Sequence, residues 1–171
     1  MPINRAPWNA LVDDDGSNLV GTIWNKDKIK TVLLDPIDVL VGGVGGAWTV
    51  APYVAGAFTG SAGMVWTVEA GDVIIAYSLV NKTITVAIAI NTSTVAAPLG
   101  NTLNIASTMW GGVAAKRPAY GAVAMLVNGA ASPGFFQASG AVISVFKLDQ
   151  SAYVASTNAT FVYGTLTFEI A

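Results

Sequence analysis

The chain predicts an all-β fold, a jelly-roll-like antiparallel β-sandwich preceded by an extended N-terminal arm and a short helix. Three observations carry this reading. The first is the run VIIAYSLVNKTITVAIAI at residues 73–90, which folds back on itself across Asn81-Lys82. Val80 then meets Thr83, Leu79 meets Ile84, Tyr77 meets Val86, Ile75 meets Ile88 and Val73 meets Ile90. Because side chains alternate across a strand, that register gathers the large apolar residues of the last four pairs on one face of an antiparallel hairpin, with Val80 and Thr83 on the other. Asn81 suits the positive φ that a two-residue turn demands. The second observation is the end of the chain, where Leu166, Phe168 and Ile170 alternate with Thr165, Thr167 and Glu169. The third is that after Gly46 every apolar run is short, has period two and is bounded by Gly, Pro, Asn or Ser, the pattern of a sandwich or jelly roll.

Residues 1–22 carry Pro2, Pro7, Gly16 and an acidic turn, with no usable period. They read as an arm docked on another protein surface, with Trp8, Leu11, Val12 and Leu19 as anchors and Trp24 just beyond it. Asp13, Asp14 and Asp15 before Gly16 are a weak calcium candidate, since clustered carboxylates can wrap a hard cation with oxygens. The distal bidentate glutamate is missing, and the default reading is a solvated turn.

Residues 23–46 hold the helical candidate and a Gly-rich linker. Asn25 caps it, Asp27 suits the positive N-terminal end, and Trp24 before the cap can staple onto Ile29. Ile29, Val32, Leu33, Ile37 and Leu40 recur at helical spacing. Pro36 disfavours helix at Asp35, so the helix is expected over 26–34, with a second turn starting at Pro36 and capped by Asp35. So short a helix is marginal alone, and its stripe must bury against its own β-domain or the same stripe in neighbouring chains. Ile29, Leu33, Ile37 and Leu40 are therefore oligomer-interface candidates. Asp35 and Asp38 share a helix face but are explained by capping and solvation rather than acid–base work.

Residues 47–171 form the β-sandwich domain. Strands are expected at 48–50, 64–69, 73–80, 83–91, 103–107, 121–127, 142–148 and 163–170. The second face of the hairpin, running from Ile74 to Ala87 and Ala89, is small and nearly uncharged. It suits close approach of a neighbouring subunit, which makes Ala87 and Ala89 interface candidates. Trp110, Lys116 and Arg117 fall in one expected loop, and Phe135 and Phe136 in another. Exposed aromatic rings beside hydrogen-bonding groups can stack on a sugar, so these five are a possible ligand set. The competing assignment is core or subunit interface.

Composition narrows the chemistry. The chain has no cysteine and no histidine, which removes disulfides, thiolate metal sites and the Ser/His and Cys/His hydrolase arrangements. Only 11% of its residues are charged, less than half the usual share. No charge falls between Asp38 and Glu69 or between Lys82 and Lys116. The first of these runs is broken by glycines and Pro52 and never reaches the roughly 18 apolar residues of a membrane helix. An outer-membrane barrel would need a signal peptide, and none precedes the strands. The missing charge reads instead as a surface covered by copies of the chain or by partners. A net charge of −2 argues against a nucleic-acid footprint. A polysaccharide-degrading enzyme needs paired carboxylates in a groove, and the β-domain offers only Glu69, Asp72, Asp149 and Glu169. No catalytic residue and no cofactor is expected.

Three segments carry a family resemblance. RAPWNALVDDDGSNLVGTIWN followed by LLDPIDVL resembles the N-terminal module of tailed-bacteriophage virion proteins. YSLVNKTITVAIAINTSTVAAPLGNTLNIA is similar to the strand-turn-strand and apolar strand of phage fibre and capsid-decoration β-sandwiches, and ISVFKLDQSAYVASTNATFVYGTLTFEI resembles their ends. The resemblance implies a homotrimeric virion domain attached through its arm and helix. It further implies a capsid decoration protein of cement or head-fibre type, partnered by the major capsid protein on the capsid exterior. The alternative is a short tail-fibre or receptor-binding protein contacting a host glycan. The family often has Gly where this chain has Asn81, and both tolerate positive φ.

Overall fold

The computed structural model describes residues 46–171. The expected arm, the calcium candidates Asp13 and Asp15, and the attachment and stripe residues Trp8, Leu11, Val12, Leu19, Trp24, Ile29, Leu33, Ile37 and Leu40 lie outside the described residues.

The described residues are all-β and antiparallel. The strands are β1 (Thr49–Val50), β2 (Phe58–Gly60), β3 (Val65–Thr67), β4 (Val73–Val80), β5 (Thr83–Ile90), β6 (Thr94–Ala96), β7 (Thr102–Ala106), β8 (Ala115–Val127), β9 (Ala130–Ala131), β10 (Gly134–Gly140), β11 (Val142–Lys147) and β12 (Phe161–Glu169). One large sheet runs β1-β4-β5-β12-β8-β10-β11-β7-β2, with β9 paired to β8, while β3 and β6 form a separate two-stranded ribbon. The sandwich is thus one sheet curled around its own inner face. Among the described residues no helix is long and apolar enough to cross a membrane.

The hairpin has the register its side chains dictate, from Val80↔Thr83 through Tyr77↔Val86 to Val73↔Ile90, and Asn81 turns it with φ 55°. Ile75, Ile84, Val86, Ile88 and Ile90 are buried. Leu79 departs from the expectation and is 43% exposed, because β1 covers β4 only at Ala76 and Tyr77 and leaves the turn end open.

All eight expected strands are present. The long β8 begins earlier than expected, at Ala115. β10 was not expected, because Gly134 and Gly140 bracket it like loop punctuation; yet it pairs on both edges, with β8 and with β11.

The inner face is a single core. The hairpin isoleucines meet Val162, Leu166 and Phe168 of β12, Phe136 and Ala138 of β10, Ile143 and Val145 of β11, and Leu103 and Ile105 of β7. Strand positions without a side chain let the sheet pack this closely, Gly164 and Gly134 among them. A Cβ on Gly164 would stand 2.5 Å from the Phe136 ring, and one on Gly134 would collide with the Phe146 carbonyl oxygen. Glycine in a strand interior marks such a close approach.

Buried polar groups beneath the β3–β6 ribbon are chained together. Trp66 Nε1 donates to Ser93 Oγ at 2.9 Å, Ser93 Oγ donates to the Thr160 carbonyl at 2.8 Å, and the Ser156 and Thr160 hydroxyls are 2.7 Å apart. Ser93→Ala leaves the Trp66 N–H without its acceptor in a dry site, which costs about 1–3 kcal/mol. Urea denaturation should show an earlier midpoint with an unchanged slope.

Candidate functional site

The alternation that fills the core also decides what faces outward. β1 contributes Val50, opposite Ala76 of β4. Ile74 and Ala76 stand opposite Ala89 and Ala87 of β5. These in turn stand opposite Tyr163 and Thr165 of β12, and Tyr163 is opposite Ala124 of β8. Further along, Tyr120 and Ala122 face Gln137 and Phe135 of β10, and Phe135 faces Phe146 of β11. The outer face is therefore a continuous field of alanine, aromatic and β-branched residues crossing seven strands.

Its exposure is substantial. Val50 is 66% exposed, Tyr120 64%, Ile74 57% and Tyr163 39%. Two shallow depressions cross it. One, of about 280 Å³, is lined by Ile74, Ala76, Ala87, Ala89 and Thr165. The other, of about 510 Å³, is lined by Ala124, Leu126, Ala131, Pro133 and Tyr163.

Polar atoms on the face are largely paired within it. The hydroxyls of Thr85 and Thr167 are 2.9 Å apart, Tyr163 donates to Asn91 at 3.2 Å, and Gln137 donates to the Tyr120 hydroxyl at 3.0 Å. Phe135 stacks on Phe146 with ring centroids 5.1 Å apart and planes 15° from parallel. Such a surface presents few unmet hydrogen bonds, so covering it removes apolar area from water at little polar cost, at about 25 cal/mol per Å².

The predicted interface pair Ala87 and Ala89 sits in the middle of this face. The predicted ligand set does not come together. Trp110 closes a 3₁₀ turn (Ser107–Trp110), is 1% exposed and donates to the Val113 carbonyl at 3.0 Å, so it is core rather than a sugar platform. Phe136 is fully buried over Gly164. Phe135 points outward, but from a paired strand and not from a loop. Lys116 and Arg117 likewise begin β8 and reach Glu169 on β12, at 2.6 and 3.4 Å. The reason is shared: a run of small residues, AAKRPAYGAVA, contains the strand that a hydropathy reading assigns to a loop. Tyr120 and Tyr163, the largest rings on the outer face, were not singled out from sequence. Their signal was the alternation of Tyr163 with Val162 and of Tyr120 with Ala119 and Gly121.

Charge is confined to the margins. The Lys116 hydrogen bond, with Arg117 and Lys82 nearby, holds the Glu169 carboxyl below its ordinary range. A carboxyl depressed in the folded state contributes stability that is present above its unfolded value, near pH 4.3, and lost as pH falls through the folded value. Glu169→Gln should therefore lower stability at neutral pH slightly and flatten its decline below about pH 4, as read from denaturant midpoints across that range. Asp149 is lowered by the Ser151 backbone N–H and hydroxyl. Burial pushes the Tyr153 phenol up, and its hydroxyl donates to the Val145 carbonyl at 3.1 Å. Among the described residues no three His, Cys, Asp or Glu side chains are grouped to hold a metal ion.

No protein-family model, no characterised protein sequence and no solved structure matches this chain.

Proposed function

We propose that the chain is a non-enzymatic structural protein of a tailed-bacteriophage virion. In this reading it is a homotrimeric capsid decoration protein of cement or head-fibre type, attached to the major capsid protein through its N-terminal arm. The observation that supports it is the broad uncharged outer face centred on Ala87, Ala89 and Tyr163, whose residues are as apolar as an interface core while their backbone groups are already used by the sheet. Monomers rarely leave apolar patches larger than a few hundred Å² in water. A copy of the same face, or a capsid subunit, covers it. Cementing then works by area: each copy bridges neighbouring subunits, and the summed burial resists internal pressure.

The glycan-binding tail-fibre reading draws on two loops, one with Trp110, Lys116 and Arg117 and one with Phe135 and Phe136; Trp110 and Phe136 are in the core, and Lys116, Arg117 and Phe135 sit on paired strands. No specific observation favours it. The test of the decoration reading is particle stability. Particles lacking this chain should rupture at lower temperature than complete ones and regain resistance on re-addition. Equal rupture temperatures would count against cementing.

A further inference from the structure

We infer that the end of the domain at the β4–β5 turn is a docking surface for a carboxylate-rich protein surface. The inference rests on the proposed role of residues 1–22 as the attachment device. The described residues hold four cations, Lys82, Lys116, Arg117 and Lys147, and four side-chain carboxylates, Glu69, Asp72, Asp149 and Glu169. Their distribution is polar. Lys82 occupies the hairpin turn, and its carbonyl accepts from Ile170 N at 2.9 Å. Thr83 is in register with Glu169, and Lys116 and Arg117 reach Glu169 across the strands. Three cations thus surround one carboxylate. Ala171, bonded to Ala114, lies at the same end, and even with an α-carboxylate there the cations are in excess.

The other carboxylates are elsewhere. Glu69 caps and Asp72 ends the 3₁₀ turn (Ala70–Asp72) that leads into Val73, at the opposite end of the eight-residue β4, about 25 Å away at the usual strand rise. Asp149 follows β11, which runs away from the basic end, since Gly140 next to its start pairs Ala115. Lys147 is level with Val123, through Gly134.

The direction of β1 adds a second observation. β1 is antiparallel to β4 with Thr49↔Tyr77, so the chain preceding Thr49 runs toward Val80 and the turn. The described chain, from Gly46 on, therefore enters the domain at its basic end. Between Arg117, Thr83, Thr167 and Glu169 lies an open hollow of about 390 Å³. The Arg117 side chain is 78% exposed and, among the described residues, makes one long contact, to Glu169, which leaves most of its donors for an incoming carboxylate.

Immobilised poly-L-glutamate is the probe, with the full chain in low salt. The wild type should bind and be released by salt. Lys82→Gln with Arg117→Gln should weaken binding about five- to tenfold, while Lys147→Gln should change nothing. Glu169→Gln should strengthen binding, because the internal competitor for Lys116 and Arg117 is gone. Asp72→Asn makes the same change in net charge at the far end and should have no effect. Equal binding by wild type and the Lys82/Arg117 variant, or equal gains from Glu169→Gln and Asp72→Asn, would overturn the inference. In parallel, the wild type is offered particles from which the chain has been removed. Failure to rebind them speaks against the virion reading, and the polyglutamate comparison still decides the basic surface.

Discussion

Phe136→Ala should destabilise the domain by about 3–5 kcal/mol, near the top of what a single core truncation costs. Phe136 is fully buried at the centre of β10, between the edges of β8 and β11. Its ring also occupies the space above Gly164 where a side chain would be. Removing the ring therefore opens a cavity against a backbone that the β8–β12 and β8–β10 ladders hold in place, so collapse is limited. The reciprocal change follows from the same contact. Gly164→Ala drives a methyl into the ring and should cost about 1–3 kcal/mol. Combining Gly164→Ala with Phe136→Leu should cost less than the sum of the two single changes, because the smaller side chain vacates the space the methyl needs. Chemical denaturation of the four proteins measures the coupling; strict additivity would show that the sheet does not curl on this contact.

Ala87→Lys should abolish self-association while leaving the fold of each chain intact. Ala87 lies opposite Ala76 on one side and Thr165 on the other, on the floor of the hollow that Ile74 borders. In an isolated chain a lysine here extends its ammonium into water, and surface substitutions of that kind change stability by about 0.5 kcal/mol or less. Against an apposed apolar face the same ammonium must be buried without a partner, which removes binding. Ala87→Ser, similar in size and uncharged, should assemble nearly as the wild type does. Light scattering after size separation, with denaturation midpoints alongside, distinguishes loss of assembly from loss of fold.

The sequence made the hairpin legible because large residues on opposite strands had to share a face, and only one register allowed it. It made β12 legible for the same reason. β10 and the first half of β8 were not legible, because alanine, glycine and serine carry almost no hydropathy contrast. Their strands exist through pairing on both edges rather than through their own pattern. That loss propagated to the candidate site. With the first half of β8 and all of β10 read as loops, Trp110, Phe135 and Phe136 looked like exposed rings, whereas the sheet puts Phe136 inside and Phe135 outside, and the 3₁₀ turn buries Trp110. The interface candidates Ala87 and Ala89 came from a strand whose register was fixed, and their outward position follows from it directly. The charge asymmetry was invisible in the linear order, because Lys82, Lys116, Arg117 and Glu169 meet only when β5, β12 and β8 lie side by side.

In the proposed trimer, another copy of the chain covers part of the outer face. The molar mass of the full chain in solution, measured by light scattering over a range of concentrations, tests it most directly. A species of three times the 17.5 kDa chain mass is expected, reduced to a single chain by Ala87→Lys or Ala89→Lys. A wild-type protein that stays at 17.5 kDa at every concentration would contradict it.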